Sequence, residues 1–257
     1  MIKKLLVVGA LTTLLITVSI GISYQNYYAD QKKSVEEYIK LGGEFIKNNP
    51  ELLSKSLEVV ENKLVNYEDV VSNVDLLPIS IAEIEFRKGI NQAAGFGDMD
   101  DKAIFNILVE EKLIMSYAIK NNVLPTKNEI DDFIKSERLV FEKTEEFQKF
   151  INNFCTAANM SMEDYWNTYE YYNAFRIVTF KKAYDYSIET GIKKGELRDL
   201  KSDKYTLNSD ITSEYDKYWI KIKKEMKNMT SLKVNKQYSN RGFILDNSKL
   251  YTFGGEV

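Results

Sequence analysis

The sequence contains no histidine and a single cysteine, Cys155, among its 257 residues. Without histidine the chain has no imidazole to serve as catalytic base, proton shuttle or metal ligand. With one cysteine it cannot form an intramolecular disulfide, so its stability must come from a packed core. Cys155 adjoins an apolar stripe and is predicted to be a small buried hydrophobic group, with an intermolecular disulfide or a redox role as the alternative.

A large excess of one charge sign is also missing, since 35 basic residues face 38 acidic residues and the net charge is −3. Nucleic-acid-binding proteins usually carry a basic excess or a basic stripe, so this balance argues against nucleic acid as a partner. Lysines crowd one late segment, where they alternate with acidic residues. This pattern predicts a solvated helix face, with lipid contact as the alternative. The lysines are Lys217, Lys221, Lys223, Lys224, Lys227, Lys233 and Lys236.

The amino terminus is different in character from the rest of the chain. Residues 5–23 carry no charge and follow Lys3 and Lys4. About 20 apolar residues suffice to cross a membrane as a helix, and the preceding lysines favour a cytoplasmic amino end. Residues 1–24 are therefore predicted to be a signal anchor in the cell membrane, with the rest of the chain extracytoplasmic. The alternative is cleavage after the small residue Ser23, which would release a secreted protein.

Apolar residues recur at helical spacing from about residue 31 onward, which predicts a mainly α-helical fold. Residues 25–69 are interpreted as a helical spacer and residues 70–238 as the main domain. Residues 239–257 form a tail without a clear pattern. Around Pro78 the pattern changes to that of an extended segment, consistent with a short edge strand.

Polar residues mark the expected helix starts. Ser80 with Glu83 and Thr126 with Glu129 have the spacing of capping boxes, and Thr144 and Ser161 are expected to cap later helices. Acidic residues precede one long helix. They suit the positive end of a helix dipole better than a cation site, because they lack the glycine and distal glutamate of a calcium loop. These residues are Asp98, Asp100 and Asp101.

The helix predicted to start after Ser161 carries more aromatic residues than one face can bury. Tyrosine and tryptophan offer large contact areas at low entropic cost, which suits the binding of extended polypeptide. Packing of a small helical core is the competing interpretation. The candidate binding residues are Tyr165, Trp166, Tyr169, Tyr172 and Phe175, and Tyr165, Tyr169 and Tyr172 share one stripe with Arg176.

A run of linked features extends through residues 79–192. An extended segment precedes a helix with Glu-Ile-Glu-Phe at 83–86. Further on stand Glu-Glu-Lys-Leu-Ile at 110–114, the Thr-Lys-Asn-Glu start at 126–129, and Ser-Met-Glu-Asp-Tyr-Trp at 161–166. Taken together, these features resemble the SurA-type amino-terminal domain of extracytoplasmic chaperones and foldases (SurA/PrsA-like).

The resemblance implies a multi-helix domain completed by a helix and a short strand that return from far downstream. Residues 211–229 and 232–236 match that element, and the implied partner of the strand is part of residues 74–80. Many relatives insert a parvulin-type prolyl isomerase domain between the two parts. Residues 192–211 leave no room for one, and the histidines typical of parvulins are missing.

The expected function is therefore non-catalytic. We expect a membrane-tethered, extracytoplasmic, chaperone-like protein that binds non-native or partner polypeptides and needs no cofactor or metal. The alternative is a dedicated structural or assembly subunit of a membrane-associated complex. Adjacent carboxylates such as Glu110 and Glu111 point about 100° apart on a helix, so they do not form a catalytic pair by themselves.

Overall fold

The computed structural model describes residues 34–60, 66–93, 95, 99–199 and 209–252. The predicted membrane segment, residues 5–23, and Asp98 lie outside the described residues. Within these ranges no helix is both long enough and apolar enough to cross a membrane.

Eight helices and one β-hairpin make up the described fold, which confirms the prediction of a mainly α-helical protein. In chain order they are α1 (Val35–Asn48), α2 (Pro50–Val60), β1 (Val70–Val74), β2 (Leu77–Ser80), α3 (Ile81–Ala93), α4 (Asp101–Lys120), α5 (Lys127–Lys143), α6 (Glu145–Ala158), α7 and α8 (Ser209–Asn228). The helix α7 begins as Met162–Asp164, passes through a π-helical segment at Tyr165–Tyr169, and continues as Glu170–Lys193.

Most helix starts follow the polar signals in the sequence. The Thr126 capping box is complete, and the Ser161 hydroxyl accepts from the Asp164 amide at 3.0 Å. The carboxylate of Asp100 caps α4 by accepting from the Ala103 amide at 2.7 Å, so it serves a helix start, as predicted. Thr144 is the N-cap residue of α6, as predicted, but its side chain makes no capping hydrogen bond.

The hairpin joins β1 and β2 in antiparallel register through a turn at Asp75, whose backbone is left-handed with φ +52°. The Asp75 carboxylate accepts hydrogen bonds from Ser116 and, at 2.8 Å, from Lys120. These bonds tie the turn to the C-terminal end of α4. The hairpin thereby leads directly into α3 and sets its position against α4.

The helix α1 belongs to the largest buried cluster, together with residues of α5, α6 and α7. Its Ile39 and Ile46 are buried, and Gly43 lies against α6 so closely that a Cβ there would stand 2.8 Å from the Phe154 carbonyl oxygen. The residues interpreted as a helical spacer therefore include a helix that packs into the main body.

The chain after α8 returns to the hairpin. The Asn235 amide donates to the Val71 carbonyl at 2.8 Å, and the Ser72 hydroxyl donates to the Lys233 carbonyl at 3.2 Å. Residues 232–236 thus lie beside β1, whereas the predicted partner was residues 74–80, and they form no regular strand.

Two later segments cover α4. The Phe243 ring lies 5.5 Å from the Phe105 ring, measured between centroids, and Leu250 is also buried. On α8 the prediction of a uniformly solvated lysine face is wrong for Lys223 and Lys227, which are 4% and 1% exposed. Both lysines are covered because the chain around Thr252 folds over α8, a contact that no local sequence pattern marks.

Candidate functional site: a cleft between α2, α3, α4 and α7

Two of the aromatic residues predicted to bind polypeptide lie in the core. Tyr165 is 2% exposed and Trp166 is 5% exposed. Their rings contact each other edge to face at 5.0 Å, and Trp166 also meets Phe141 at 5.8 Å. This is the geometry of core packing, in which neither ring faces solvent.

The other three predicted residues reach the surface of a cleft. Tyr169, Tyr172 and Phe175 all line it, although Tyr169 is largely buried and the other two are half-buried. The π-helical segment Tyr165–Tyr169 ends at the first of these three residues, and its turns are wider than those of an α-helix. The structure therefore divides the aromatic stripe into a core part and a cleft part.

Apolar side chains from four helices form the walls of this cleft, which encloses a cavity of about 150 Å³. The apolar lining residues are Leu53 and Leu57 on α2, Leu77 on β2, Phe86 and Ile90 on α3, Met115 and Ile119 on α4, Leu124 after α4, and Phe175 and Phe180 on α7. At the rim, Ile119 is 42% exposed and Leu124 is 37% exposed. Apolar surface is thus presented to solvent next to an apolar cavity.

Charged side chains also line the cleft. Arg87 on α3 donates two hydrogen bonds to the Glu111 carboxylate on α4, at 2.9 and 3.1 Å. Arg176 on α7 approaches the same carboxylate at 3.5 Å. Beside this group, Lys112 pairs with Glu83 at 3.0 Å. Among the described lining residues, three cations therefore lie beside two carboxylates.

The electrostatics of this group follow from burial and from charge. Burial alone would raise the pKa of Glu111, but Arg87 and Arg176 outweigh that effect and hold the pKa below its ordinary value. Burial lowers the pKa of Arg176, with Glu111 acting in the opposite direction. Arg176 is thus a cation whose desolvation is only partly offset by the carboxylate that it shares with Arg87.

A second buried charge cluster lies on another face of α4. Lys227 donates to the Glu110 carboxylate at 2.6 Å, and Glu110 also accepts from the amides of Tyr251 and Thr252 and from the Thr252 hydroxyl. Lys227 in addition donates to the Lys249 carbonyl at 2.8 Å. These bonds hold the C-terminal segment against the core.

A third buried carboxylate, Glu170, lies where the π-helical segment passes into the rest of α7. Tyr165 and Asn173 donate to it at 3.3 and 3.5 Å. Burial, followed by its interaction with Glu137 on α5, raises the pKa of Glu170 well above the ordinary value. The two carboxyl groups are thereby joined across α5 and α7.

Comparisons of the chain with models of protein families, with curated proteins and with solved structures gave no significant match. In the described part of the chain no group of acidic or cysteine side chains has an arrangement that would hold a metal ion. Cys155 is buried, and burial raises the pKa of its thiol to about 11.

Sequence reasoning missed the charged residues of the cleft, Arg87 and Lys112 above all. One signal was present, because Glu111 falls among the apolar positions of α4, where a charged residue requires a partner. The sequence does not show which cation of α3 or α7 is the partner of Glu111. Arg176 was recognised only as part of the aromatic stripe.

Proposed function

We propose that this protein binds polypeptides without catalysis, as a chaperone-like protein tethered through residues 5–23 to the outer face of the cell membrane. The cleft between α2, α3, α4 and α7 receives apolar parts of non-native or partner polypeptides. Binding needs no cofactor and involves burial of apolar side chains together with hydrogen bonds from the polar lining.

The observation that carries this proposal is the continuity between the apolar cavity and its exposed apolar rim. Ile119 and Leu124 present apolar surface where the cleft opens. Exposed apolar surface beside a concave site is typical of binding sites. The half-buried Tyr172 and Phe175 add aromatic contact area with few rotatable bonds.

The proposed relationship is to the SurA-type amino-terminal domain without its parvulin isomerase domain. It is supported by the hairpin that leads into α3 and by the return of residues 232–236 to β1. Both features describe how the chain is connected, so they support a relationship in fold and say nothing about function. The argument for function rests on the cleft itself.

One observation favours the alternative of a dedicated assembly subunit. A cavity of about 150 Å³ is small beside the several hundred Å³ typical of ligand pockets. It admits a single side chain at a time. A protein that holds one fixed partner needs no more than this, whereas a chaperone of many clients must combine the cavity with the exposed rim.

The test is suppression of aggregation by the full chain reconstituted in lipid nanodiscs, followed by light scattering of several unrelated unfolding proteins. Empty nanodiscs are the blank, and a prolyl-peptide isomerisation assay runs beside it. We expect suppression at near-stoichiometric ratios without isomerisation. If the aggregation of none of these proteins is suppressed, the dedicated subunit is favoured. Isomerase activity would contradict the non-catalytic proposal.

A matched pair of variants locates the binding surface. Leu124→Asp places a charge on the rim of the cleft, and we expect it to reduce suppression severalfold. Leu139→Asp makes the same change at a leucine that is exposed to a similar degree on α5, outside the cleft lining. Equal losses for both variants would show that the cleft is not the binding site.

A further inference from the structure

The core part of the aromatic stripe is covered by α5. The Phe141 ring on α5 meets the Trp166 ring at 5.8 Å, and the Arg138 guanidinium lies 5.2 Å from the centre of the same ring. Arg138 also donates to the Asn167 side chain at 3.3 Å. Access of solvent or of a polypeptide to Trp166 therefore depends on whether α5 stays in place.

The two halves of α5 are held differently. The first half contains the buried Ile130 and Ile134. None of residues 135–143 is buried, and this second half packs on the core through half-buried side chains such as Phe141. A segment with few buried apolar contacts opens at a low cost in free energy. The second half of α5 is therefore the part that can detach while the rest of the domain stays folded.

A contact between carboxyl groups joins this second half to α7. Glu137 on α5 interacts with Glu170 on α7, which is 2% exposed. Tyr165 and Asn173 donate to Glu170 at 3.3 and 3.5 Å, which are long distances for hydrogen bonds to a carboxylate. The Glu170 Oε1 atom receives no hydrogen from any group in the described part of the chain. The charged form of Glu170 is therefore weakly stabilised at this position.

The contact between the two carboxyl groups requires a proton. Two carboxylates are both acceptors and repel each other, whereas a protonated carboxyl group donates to its neighbour. Burial, followed by the interaction with Glu137, raises the pKa of Glu170 well above the ordinary value. The folded state therefore keeps this proton at a pH where an exposed glutamate has lost it, and gives it up as pH rises through the folded pKa.

The other titratable groups around the pair are neutral near pH 7. The Tyr165 hydroxyl on α7 has a pKa well above its ordinary value because it is buried, and burial raises the pKa of the Cys155 thiol on α6 to about 11. The cation next to Glu137 on α5, Arg138, is exposed and lies over the Trp166 ring. The titratable groups that act on Glu170 or on its donor Tyr165 are Glu137, Tyr165, Glu170, Tyr169 and Cys155.

We propose that Glu137 and Glu170 form a pH-sensitive closure over the aromatic core. While the pair holds a proton, the second half of α5 lies over Trp166. Loss of that proton to solvent leaves two carboxylates side by side, and the second half of α5 then moves away from α7 and exposes Trp166. This closure is separate from the cleft, since no residue of α5 is among the described lining residues.

The test measures how strongly acrylamide quenches the fluorescence of Trp166 in the full chain in nanodiscs, between about pH 4 and about pH 9. The chain has two tryptophans, so Trp219→Phe leaves Trp166 as the only emitter. We expect the quenching constant to rise severalfold in one transition, with a midpoint well above 4.5, the ordinary pKa of glutamate. Circular dichroism at each pH reports whether the helices persist. Trp166→Phe, which leaves Trp219, is the matched control and should show no such transition.

Variants in the Trp219→Phe background assign the transition to the pair. Glu170→Gln imitates the protonated carboxyl group, so quenching should stay low at every pH. Glu163→Gln changes an exposed glutamate near the start of α7 and should leave the transition unchanged. Glu137→Gln removes the neighbouring charge and offers an amide donor to Glu170, so the midpoint should fall by about one pH unit or more. This last shift is an independent measurement if Glu170→Gln does not fold.

The outcomes separate this inference from the proposed function. A quenching constant that does not change with pH would overturn the closure. A transition that persists in Glu170→Gln would assign it to another group, and a simultaneous loss of helical circular dichroism would show global unfolding; both results also overturn it. No bound polypeptide is needed for these measurements, so the closure and the suppression of aggregation can each fail while the other is confirmed.

Discussion

Glu110 and Glu111 are neighbours on α4, and their side chains enter two buried charge clusters of different design. Residues adjacent on a helix point about 100° apart, so the two carboxylates leave α4 on different faces. Glu110 pairs with Lys227, and the side chains of both are 2% exposed. Glu111 is shared by two arginines that line an open cleft.

The first cluster is closed off from solvent by the C-terminal segment. Lys227 donates to Glu110, the amides of residues 251 and 252 fill further acceptor positions of Glu110, and the buried Lys223 donates to the Thr252 hydroxyl beside them. The second cluster borders a cavity that opens to solvent. Removing a partner should therefore cost more in the first cluster, where water cannot replace the lost bond, than in the second.

Removing the charge of Glu110 should have the largest effect on stability. In Glu110→Gln the amide nitrogen faces Lys227 and the amides of residues 251 and 252, which are all donors. Breaking a buried ion pair from one side costs about 3–5 kcal/mol, and we expect the free energy of unfolding to fall by that amount. Urea denaturation of the full chain, followed by circular dichroism, measures it.

The control for this change is Glu36→Gln, which removes a surface pair between Glu36 and Lys149. Its side chain is 50% exposed, so the loss should stay below about 1 kcal/mol. A loss below 1 kcal/mol in Glu110→Gln as well would show that the C-terminal segment lifts off and lets water reach Lys227.

The matching change in the open cluster, Glu111→Gln, should cost less, about 1–3 kcal/mol. The glutamine oxygen still accepts from Arg87, and water entering the cleft can solvate Arg176. The same denaturation measurement applies. If Glu111→Gln destabilised the protein as much as Glu110→Gln, the two clusters would be equally closed and the comparison would fail.

The local parts of the fold were predictable from the sequence. Helix starts at Thr126 and Ser161 and the stop before Pro50 depend on chemistry within four residues, and the structure has them where the pattern predicts. The extended segment near Pro78 is also present, as a strand of the hairpin.

The contacts between distant segments were not predictable from this sequence alone. The burial of Lys227 depends on residues 249–252, which show no periodicity. In the cleft, the aromatic stripe was visible, but its division into a core part and a cleft part depends on contacts with distant residues, such as those of Phe141 with Trp166 and of Phe154 with Tyr165. A pattern along one helix identifies apolar positions and does not say which neighbour covers them.

A third buried carboxylate, Glu170, allows the cost of a buried negative charge to be measured in another part of the molecule. Glu170 lies beside Glu137, and burial together with this neighbour raises its pKa. Because the folded pKa exceeds that of an unfolded glutamate, the contribution to stability is complete below about pH 4 and is lost as pH rises through the folded pKa.

Glu170→Gln imitates the protonated form at every pH. We expect it to raise the free energy of unfolding at pH 8 by about 1–2 kcal/mol, since one pKa unit corresponds to about 1.4 kcal/mol. The gain should shrink toward pH 4. Glu163→Gln, at an exposed position near the start of α7, should show neither effect. A pH-independent gain would mean that packing, and not titration, is responsible.

The smallest expected change distinguishes the two clusters most directly. Arg176→Gln removes the longer of the two arginine contacts to Glu111 and leaves Arg87 paired with it, so the free energy of unfolding should change by less than about 1 kcal/mol. Lys227→Met should cost several times more, because it removes the lysine that donates to Glu110 and leaves that carboxylate as a buried charge. Paired denaturation curves test this ratio. Equal losses in both variants would show that Arg176 supports the fold as strongly as Lys227 does, and the difference between an open and a closed cluster would then be absent.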